Sequence, residues 1–161
     1  MPLNFPPLNQ AAPPFSLQDQ DGNTLSPAEF TGKQRVLVYF YPKAMTPGCN
    51  VQARGLRDSQ QALTDHQVKV LGISPDPVSR LKKFQAKEGL NFSLLSDPEH
   101  VVADAYGVWG LKKFMGREFD GIHRISFLIG LDGKLEHIFQ KFKTATHHQD
   151  VLNWLQNNKM V

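Results

Sequence analysis

Hydrophobic residues along the chain occur in two kinds of pattern, one typical of strands and one typical of helices. Continuous apolar runs rich in β-branched and aromatic residues predict strands, and runs without polar alternation predict burial on both faces. The predicted strands are Arg35–Tyr41, Val68–Ser74, Leu94–Leu95, Ile122–Gly130 and Lys134–Phe139. Apolar positions at helical spacing predict helices from Gly48 to about Leu63, over Pro77–Glu88, from Asp97 onward and over His147–Asn157.

Local residue types refine these elements. The packed side of the first helix is predicted, from helical spacing, to be formed by Val51, Gly55, Ser59 and Leu63. Asp97 is predicted to cap the third helix, with Pro98 at its first position. A long loop is predicted where glycines recur, at Gly107, Gly110, Gly116 and Gly121.

Two Asp-Gly pairs predict hairpin turns. Asp21-Gly22 lies within "FSLQDQDGNTLSPAEF", which predicts two short strands and a helical stub, and Asp132-Gly133 joins the last two strands. Strand–helix–strand units imply parallel pairing with right-handed crossovers, and the late hairpin adds antiparallel strands. The sequence therefore predicts an α/β fold: a central mixed β-sheet flanked by helices on both faces, with an N-terminal β-hairpin.

Composition limits the functional classes. The 161 residues, with 40% apolar and 20% charged side chains, predict one globular domain over residues 1–161. The net charge is +3, but the basic residues are scattered, and Lys82, Lys83 and Lys87 fit the wet face of a helix, so nucleic acid is not the expected partner. The proline-interrupted N-terminus does not resemble a signal peptide, and no apolar segment of the sequence has the length of a membrane span, so a cytoplasmic location is expected.

The stretch "VYFYPKAMTPGCN", Val38 to Asn50, carries the chain's one cysteine, Cys49. One cysteine excludes an intramolecular disulfide. A free cysteine is usually a small buried hydrophobe, but Cys49 follows Thr-Pro-Gly at a predicted helix start, where the helix dipole and free N–H groups stabilise a thiolate. Pro47 fixes its own φ and Gly48 permits close backbone approach. These features favour a reactive thiolate over a structural cysteine.

The spacing P-x-x-x-T-x-x-C, formed by Pro42, Thr46 and Cys49, resembles the motif of the peroxiredoxins. The string "VLVYFYPKAMTPGC" resembles their bacterioferritin comigratory protein, or peroxiredoxin Q, subgroup. Further strings similar to that subgroup follow in the same order: "LGIS", "LLSD", "YGVWG", "FMGREFDGIHRISFLI" and "HHQDVLNWL". The resemblance covers nearly the whole chain from about Leu8. It implies a thioredoxin-like fold and reduction of hydrogen peroxide and organic hydroperoxides.

The resemblance also implies a role for each matching residue. Cys49 would be the peroxidatic cysteine, and Thr46 would place its hydroxyl beside sulfur and substrate. Pro42 would shield the site from water, and Arg124 would attract the thiolate and polarise the departing oxygen. Gln52 would orient that arginine from the same helical face. The substrate-binding residues implied are Pro42, Thr46, Gly48 and Arg124, and neither a metal nor an organic cofactor is expected.

The chain departs from the subgroup in how the cysteine would be recycled. The subgroup's resolving cysteine lies five residues after the peroxidatic one, here Arg54, or in the next helix, here Gln85. The chain therefore resembles a one-cysteine variant without a resolving cysteine. Its sulfenic acid would be reduced by an external thiol: thioredoxin, glutaredoxin or glutathione. The resemblance also favours a monomer.

Two other functions compete with this one. A thioredoxin-fold redox sensor or binding protein would form mixed disulfides through Cys49, but a docking thiol does not require Pro42, Thr46, Gln52 and Arg124. A thioredoxin-type oxidoreductase is disfavoured because Cys-x-x-Cys is absent. His147 and His148 are adjacent at a helix start and point in different directions, so no metal site is expected there.

Overall fold

A seven-stranded mixed sheet forms the centre of the computed structural model, which describes residues 3–158. The strands are β1 (Leu17–Asp19), β2 (Thr24–Leu25), β3 (Arg35–Phe40), β4 (Val68–Ser74), β5 (Ser93–Ser96), β6 (Trp109–Phe114), β7 (Arg117–Ile122), β8 (Ser126–Ile129) and β9 (Leu135–Phe139). The central sheet has the order β2-β1-β5-β4-β3-β8-β9. Strands β3, β4 and β5 are parallel, and β1, β2, β8 and β9 pair antiparallel with their neighbours.

The helices cover both faces of this sheet, as predicted. They are α1 (Pro47–Asp58), α2 (Gln60–Asp65), α3 (Val78–Glu88), α4 (Val101–Ala105) and α5 (His147–Asn157). One apolar cluster joins alternate residues of β3, such as Leu37 and Tyr39, to α1, α3 and α5. The other joins Val36, Val38 and Phe40 to α4 and the N-terminal segment. All six residues of β3 are buried, which confirms the prediction from its unbroken apolar run.

Several sequence predictions of helices and strands need correction. The first predicted helix divides at Ser59 into α1 and α2, and its buried face comprises Cys49, Gln52, Ala53 and Leu56, while Val51 is exposed. Helix α4 begins at Val101 with His100 as its N-cap, so the predicted start at Pro98 with Asp97 as N-cap is wrong. Asp97 lies before the cap and accepts hydrogen bonds from the first-turn N–H groups of Val102 and Ala103.

The segment predicted as a long glycine-punctuated loop is largely a hairpin. Strands β6 and β7 pair antiparallel from Trp109↔Ile122 to Phe114↔Arg117 and form a separate two-stranded sheet. The predicted strand Ile122–Gly130 is accordingly shorter: β7 ends at Ile122 and β8 begins at Ser126. Among the described residues, no helix combines the length and hydrophobicity needed to span a membrane.

Candidate active site

Cys49 lies in the first turn of α1, the helix that follows the central strand β3. Thr46 is the N-cap residue with extended backbone, and Pro47 occupies the first helical position. The first intrahelical bond runs from Asn50 N to Thr46 O at 2.8 Å, so the N–H groups of Gly48 and Cys49 precede it and have no partner within the helix. The cysteine is therefore at the end of the helix that favours negative charge.

Arg124, which lies between β7 and β8, places its guanidinium next to the sulfur of Cys49. Its Nη2 donates to Cys49 Sγ at 3.2 Å and its Nη1 donates to Gln52 Oε1 at 3.0 Å. Gln52 is 1% exposed, so the arginine is held by a buried amide one turn after the cysteine. Arg124 itself lies in the connection between β7 and β8 and not within a strand, which corrects the sequence prediction.

Gly48 is placed where the arginine passes closest to α1. A Cβ atom at this position would lie 2.9 Å from Arg124 Nη2, closer than side-chain contacts allow. The glycine therefore leaves room for the guanidinium beside the sulfur.

Thr46 and Pro42 lie in the loop between β3 and α1. The Thr46 hydroxyl donates to the carbonyl of Lys43 at 2.8 Å, and within residues 3–158 no hydrogen bond joins it to Cys49 or Arg124. Because the hydroxyl proton is bonded to the Lys43 carbonyl, the hydroxyl oxygen can act only as a hydrogen-bond acceptor for another group. Pro42 is half-buried and lines a groove beside the site.

Asp76 and Arg80 hold this loop, a role that the sequence analysis missed. Asp76 accepts a hydrogen bond from Ala44 N at 2.7 Å, and Arg80 donates to Ala44 O at 2.8 Å. The two side chains also form an ion pair with each other at 3.2 Å. They constrain the residue before Met45, whose φ of 64° is unfavourable for a non-glycine residue. The available signal was an acidic residue two positions after buried β4, the parallel neighbour of β3.

An aromatic layer forms the floor beneath Cys49. Tyr39 and Tyr41 stack with ring centroids 5.3 Å apart, and both belong to the apolar cluster that contains the 2%-exposed cysteine. Burial raises the pKa of Tyr39 well above its ordinary value, and Tyr41 and Cys49 add to this shift. The phenol therefore stays neutral, and the floor supplies no negative charge that would compete with a thiolate.

His147 and His148 point into different surroundings. His147 is fully buried, and its Nε2 lies 2.7 Å from Ser126 Oγ. Burial, reinforced by His148 and Arg124, lowers the pKa of His147 to about 3, so the ring is neutral. His148 packs against Gly55 on α1, where an added Cβ would overlap its ring. Within residues 3–158, no group of three or more His, Cys, Asp or Glu side chains is arranged to hold a metal.

Arg54 and Gln85, at the two positions where the subgroup has a resolving cysteine, each form hydrogen bonds. Arg54 donates from Nε and Nη2 to the carboxylate of Glu88 at 2.8 and 2.9 Å. Gln85 donates from Nε2 to the carbonyl of Phe92 at 3.5 Å. Cys49 is the one cysteine of the sequence, so no second thiol of this chain can form a disulfide with it.

Comparison with known proteins places this geometry in context. The model of the AhpC/TSA family matches residues 8–138. Peroxiredoxin Bcp of Escherichia coli (strain K12) is 60% identical over 147 residues, covering 91% of this chain and 94% of that protein. Peroxiredoxin Bcp of Bacillus subtilis (strain 168) is 40% identical over 150 residues, covering 93% and 95%.

Solved structures give the same picture at lower identity. A Xanthomonas campestris bacterioferritin comigratory protein, described with alkyl peroxide reduction activity, superposes with a TM-score of 0.83 at 29% identity, covering 89% of this chain and 91% of that one. A mutant of Xylella fastidiosa PrxQ superposes with a TM-score of 0.86 at 27% identity, covering 98% of both chains. These matches confirm the predicted thioredoxin-like fold.

Proposed function

Because this chain belongs to the AhpC/TSA family and is a peroxiredoxin of the bacterioferritin comigratory protein type, a thiol-dependent peroxidase, we propose that Cys49 is its peroxidatic cysteine. The observation that carries the proposal is the 3.2 Å hydrogen bond from Arg124 Nη2 to Cys49 Sγ at the N-terminus of α1. A cation and a helix N-terminus both stabilise the thiolate, which is the nucleophilic form of cysteine.

In the oxidising step, the Cys49 thiolate attacks the nearer peroxide oxygen and forms the S–O bond as the O–O bond breaks. The departing hydroxide or alkoxide takes a proton to leave as water or an alcohol, and Cys49 becomes a sulfenic acid. Arg124 stabilises the charge that develops on the departing oxygen, since donors placed in advance act most strongly in the transition state. Thr46, with its proton committed to Lys43, accepts a hydrogen bond from the peroxide hydroxyl.

Gln52, Gly48 and Pro42 support these groups. Gln52 orients Arg124 through its 3.0 Å hydrogen bond, and Gly48 leaves the space that the guanidinium occupies. Pro42 shields the sulfur from water at the edge of the pocket. The substrate class is hydrogen peroxide and organic hydroperoxides, and Pro42, Thr46, Gly48 and Arg124 form the substrate-binding set.

An external thiol completes the cycle, because the chain holds no second cysteine. The thiol displaces water from the sulfenic acid to give a mixed disulfide, and a second thiol releases the reduced Cys49. Dependence on a reducing thiol pool supports a cytoplasmic location. A monomer is the proposed active form, because Cys49, Arg124 and Gln52 form a connected site within a single chain.

The oxidation product tests this proposal. The fully reduced protein is treated with one equivalent of hydrogen peroxide and then with dimedone, and its intact mass and peptides are measured. We expect one dimedone adduct at Cys49, and excess peroxide without thiol should add two or three oxygens there. A main product consisting of a dimer linked through Cys49 at low protein concentration, rapidly reduced by thioredoxin, would contradict recycling through a monomeric sulfenic acid.

A further inference from the structure

The sulfur of Cys49 is enclosed, so the path by which a thiol reaches it is restricted. The residue is 2% exposed and packs in the cluster that contains Tyr39, Tyr41 and Ala53. A reducing thiol must align with the sulfur to form a disulfide. Either α1 unwinds to bring the sulfur to the surface, or the thiol enters the folded pocket.

A cluster of four residues, here called the α1 clamp, opposes unwinding of α1. It consists of Arg54 and Arg57 on α1, Glu88 at the end of α3, and Asn91. Arg54 forms a two-pronged ion pair with Glu88, Arg57 Nη1 donates to the Glu88 carbonyl at 2.6 Å, and Asn91 Nδ2 donates to the Arg57 carbonyl at 3.2 Å.

The clamp is centred on the Glu88 carboxylate, which the half-exposed side chain of Arg54 covers. The Glu88 side chain is 6% exposed, and the hydrogen bonds from Arg54 lower the pKa of its carboxyl group. If α1 unwound through Arg54, both hydrogen bonds of this ion pair and the contacts of Arg57 with Glu88 and Asn91 would be lost together. The clamp therefore opposes unwinding of α1 after oxidation. Arg54 can contribute to it because this position carries an arginine and not a resolving cysteine.

A groove beside the active site offers the other path. Its volume is about 360 Å³, within the range of small-molecule sites. Its wall includes Pro42 and Phe119, the cations Lys43 and Lys112, and the carboxylate of Asp120. Pro42 thus belongs both to this groove and to the loop that precedes Cys49.

Lys112 gives the groove a fixed positive charge close to the reaction centre. Its Nζ donates to the Ile122 carbonyl at 2.7 Å, which orients the half-buried side chain. Burial lowers the pKa of Lys112, the neighbouring Arg124 lowers it further, and Cys49 opposes the shift. Lys43 and Lys112 outnumber the one carboxylate of the groove wall, Asp120, so the groove favours an anion.

We propose, on the basis of the peroxidase function above, that the thiol which regenerates Cys49 is a small anionic thiol of the glutathione class that enters this groove, and that the α1 clamp disfavours protein dithiols. The thiolate attacks the sulfenic sulfur, the S–O bond breaks, and the hydroxide takes a proton to leave as water. A second thiolate attacks the mixed disulfide, releasing the Cys49 thiolate and a symmetrical disulfide. Two thiols are oxidised and the sulfenic sulfur is reduced by two electrons.

Three small thiols of different charge test the groove. Protein converted to the sulfenic acid with one equivalent of peroxide is mixed with glutathione, neutral 2-mercaptoethanol or cationic cysteamine at equal thiolate concentrations, and mixed-disulfide formation is followed by rapid quench and mass spectrometry. Glutathione should react about tenfold faster than cysteamine, and high salt should reduce the difference. Equal rates for the two would overturn the anionic preference.

Neighbouring lysines provide a matched pair of variants. Lys112→Met should lower the glutathione rate about tenfold and the 2-mercaptoethanol rate much less. Lys113→Met is the control, because Lys113 lies on the opposite face of the β6–β7 hairpin and pairs with Glu118. If both variants behaved alike, Lys112 would not bind the thiol.

The clamp is tested with thioredoxin as the protein dithiol. Wild-type protein should react more slowly with thioredoxin than with glutathione at equal concentration, and Arg54→Ala should raise the thioredoxin rate at least several-fold. Glu88→Gln retains the side-chain shape and should act in the same direction. Faster reduction of the wild type by thioredoxin, or no increase in either variant, would overturn the inference. Oxidation of the reduced protein by peroxide, measured on the same samples, tests the proposed peroxidase function separately.

Discussion

Arg124 and Cys49 are 75 residues apart in sequence, yet the guanidinium Nη2 lies 3.2 Å from the sulfur. The same guanidinium donates from Nη1 to Gln52, one turn along α1 from the cysteine. The glycine at position 48 leaves room for Nη2, which a Cβ there would crowd. In the proposed reaction, this arrangement places a cation next to the sulfur, where negative charge develops on the departing oxygen.

Removal of this cation should slow oxidation far more than it destabilises the fold. Arg124→Ala is expected to lower the second-order rate constant for hydrogen peroxide by on the order of 10²–10³. Arg124→Lys should recover only part of this rate, because an ammonium group cannot donate to Cys49 and Gln52 with the planar geometry of guanidinium. Stopped-flow fluorescence gives the rates and thermal unfolding gives the stability.

Arg117→Ala is the matched control for the arginine variant, since Arg117 is exposed on the β6–β7 hairpin. It should retain the wild-type rate. If Arg124→Ala also retained that rate, the assignment of Arg124 to the reaction would be wrong.

Thr46 is expected to act through its hydroxyl and not through its methyl group. Thr46→Val keeps the shape but removes the donor to Lys43 and the acceptor proposed for the peroxide, so the peroxide rate should fall by at least tenfold. Thr46→Ser keeps the hydroxyl and should remain close to wild type. Comparison of the two rates by stopped flow decides the point, and equal losses in both variants would assign the effect to packing.

His147 should make stability depend on pH. Its folded-state pKa is lowered from 6.5 to about 3, so between these values the unfolded chain binds a proton that the folded protein does not. Stability is thus fully present above pH 6.5 and declines toward pH 3 by up to about 1.4 kcal/mol per pH unit. Chemical denaturation of His147→Gln at a series of pH values should show a shallower decline.

A second histidine provides the control for this measurement. Burial also lowers the pKa of His137, but that ring is only partly buried. His137→Gln should therefore change the pH dependence less than His147→Gln. Identical pH profiles for wild type and His147→Gln would show that His147 is not the group responsible.

Local sequence patterns were sufficient for the parts of the fold that depend on local chemistry. The unbroken apolar run of β3 predicted burial of both faces, and the pairs Asp21-Gly22 and Asp132-Gly133 predicted turns that the structure contains. The position of Cys49 at the start of a helix also followed from Thr-Pro-Gly. These features are set by residues within a few positions of one another.

The errors arose where a distant partner changes the environment of a residue. Periodicity predicted Val51 on the packed side of α1, but Gln52 is buried there because Arg124, 72 residues away, satisfies its amide oxygen. The role of Asp76 also depends on a distant partner, because the Ala44 amide that it binds is 32 residues earlier. The β6–β7 hairpin was missed because its exposed strands mix charged and apolar residues without the alternation expected of a half-buried strand.

Peroxide consumption by Cys49→Ser tests the central claim most directly. Serine is close in size to cysteine and should preserve the fold, but its hydroxyl is a poor nucleophile toward peroxide in this site. With dithiothreitol as reductant, wild-type protein should consume hydrogen peroxide catalytically and Cys49→Ser should show no consumption above the uncatalysed background, with unchanged circular dichroism. Consumption above trace levels by the folded variant would contradict the assignment of Cys49 as the peroxidatic residue.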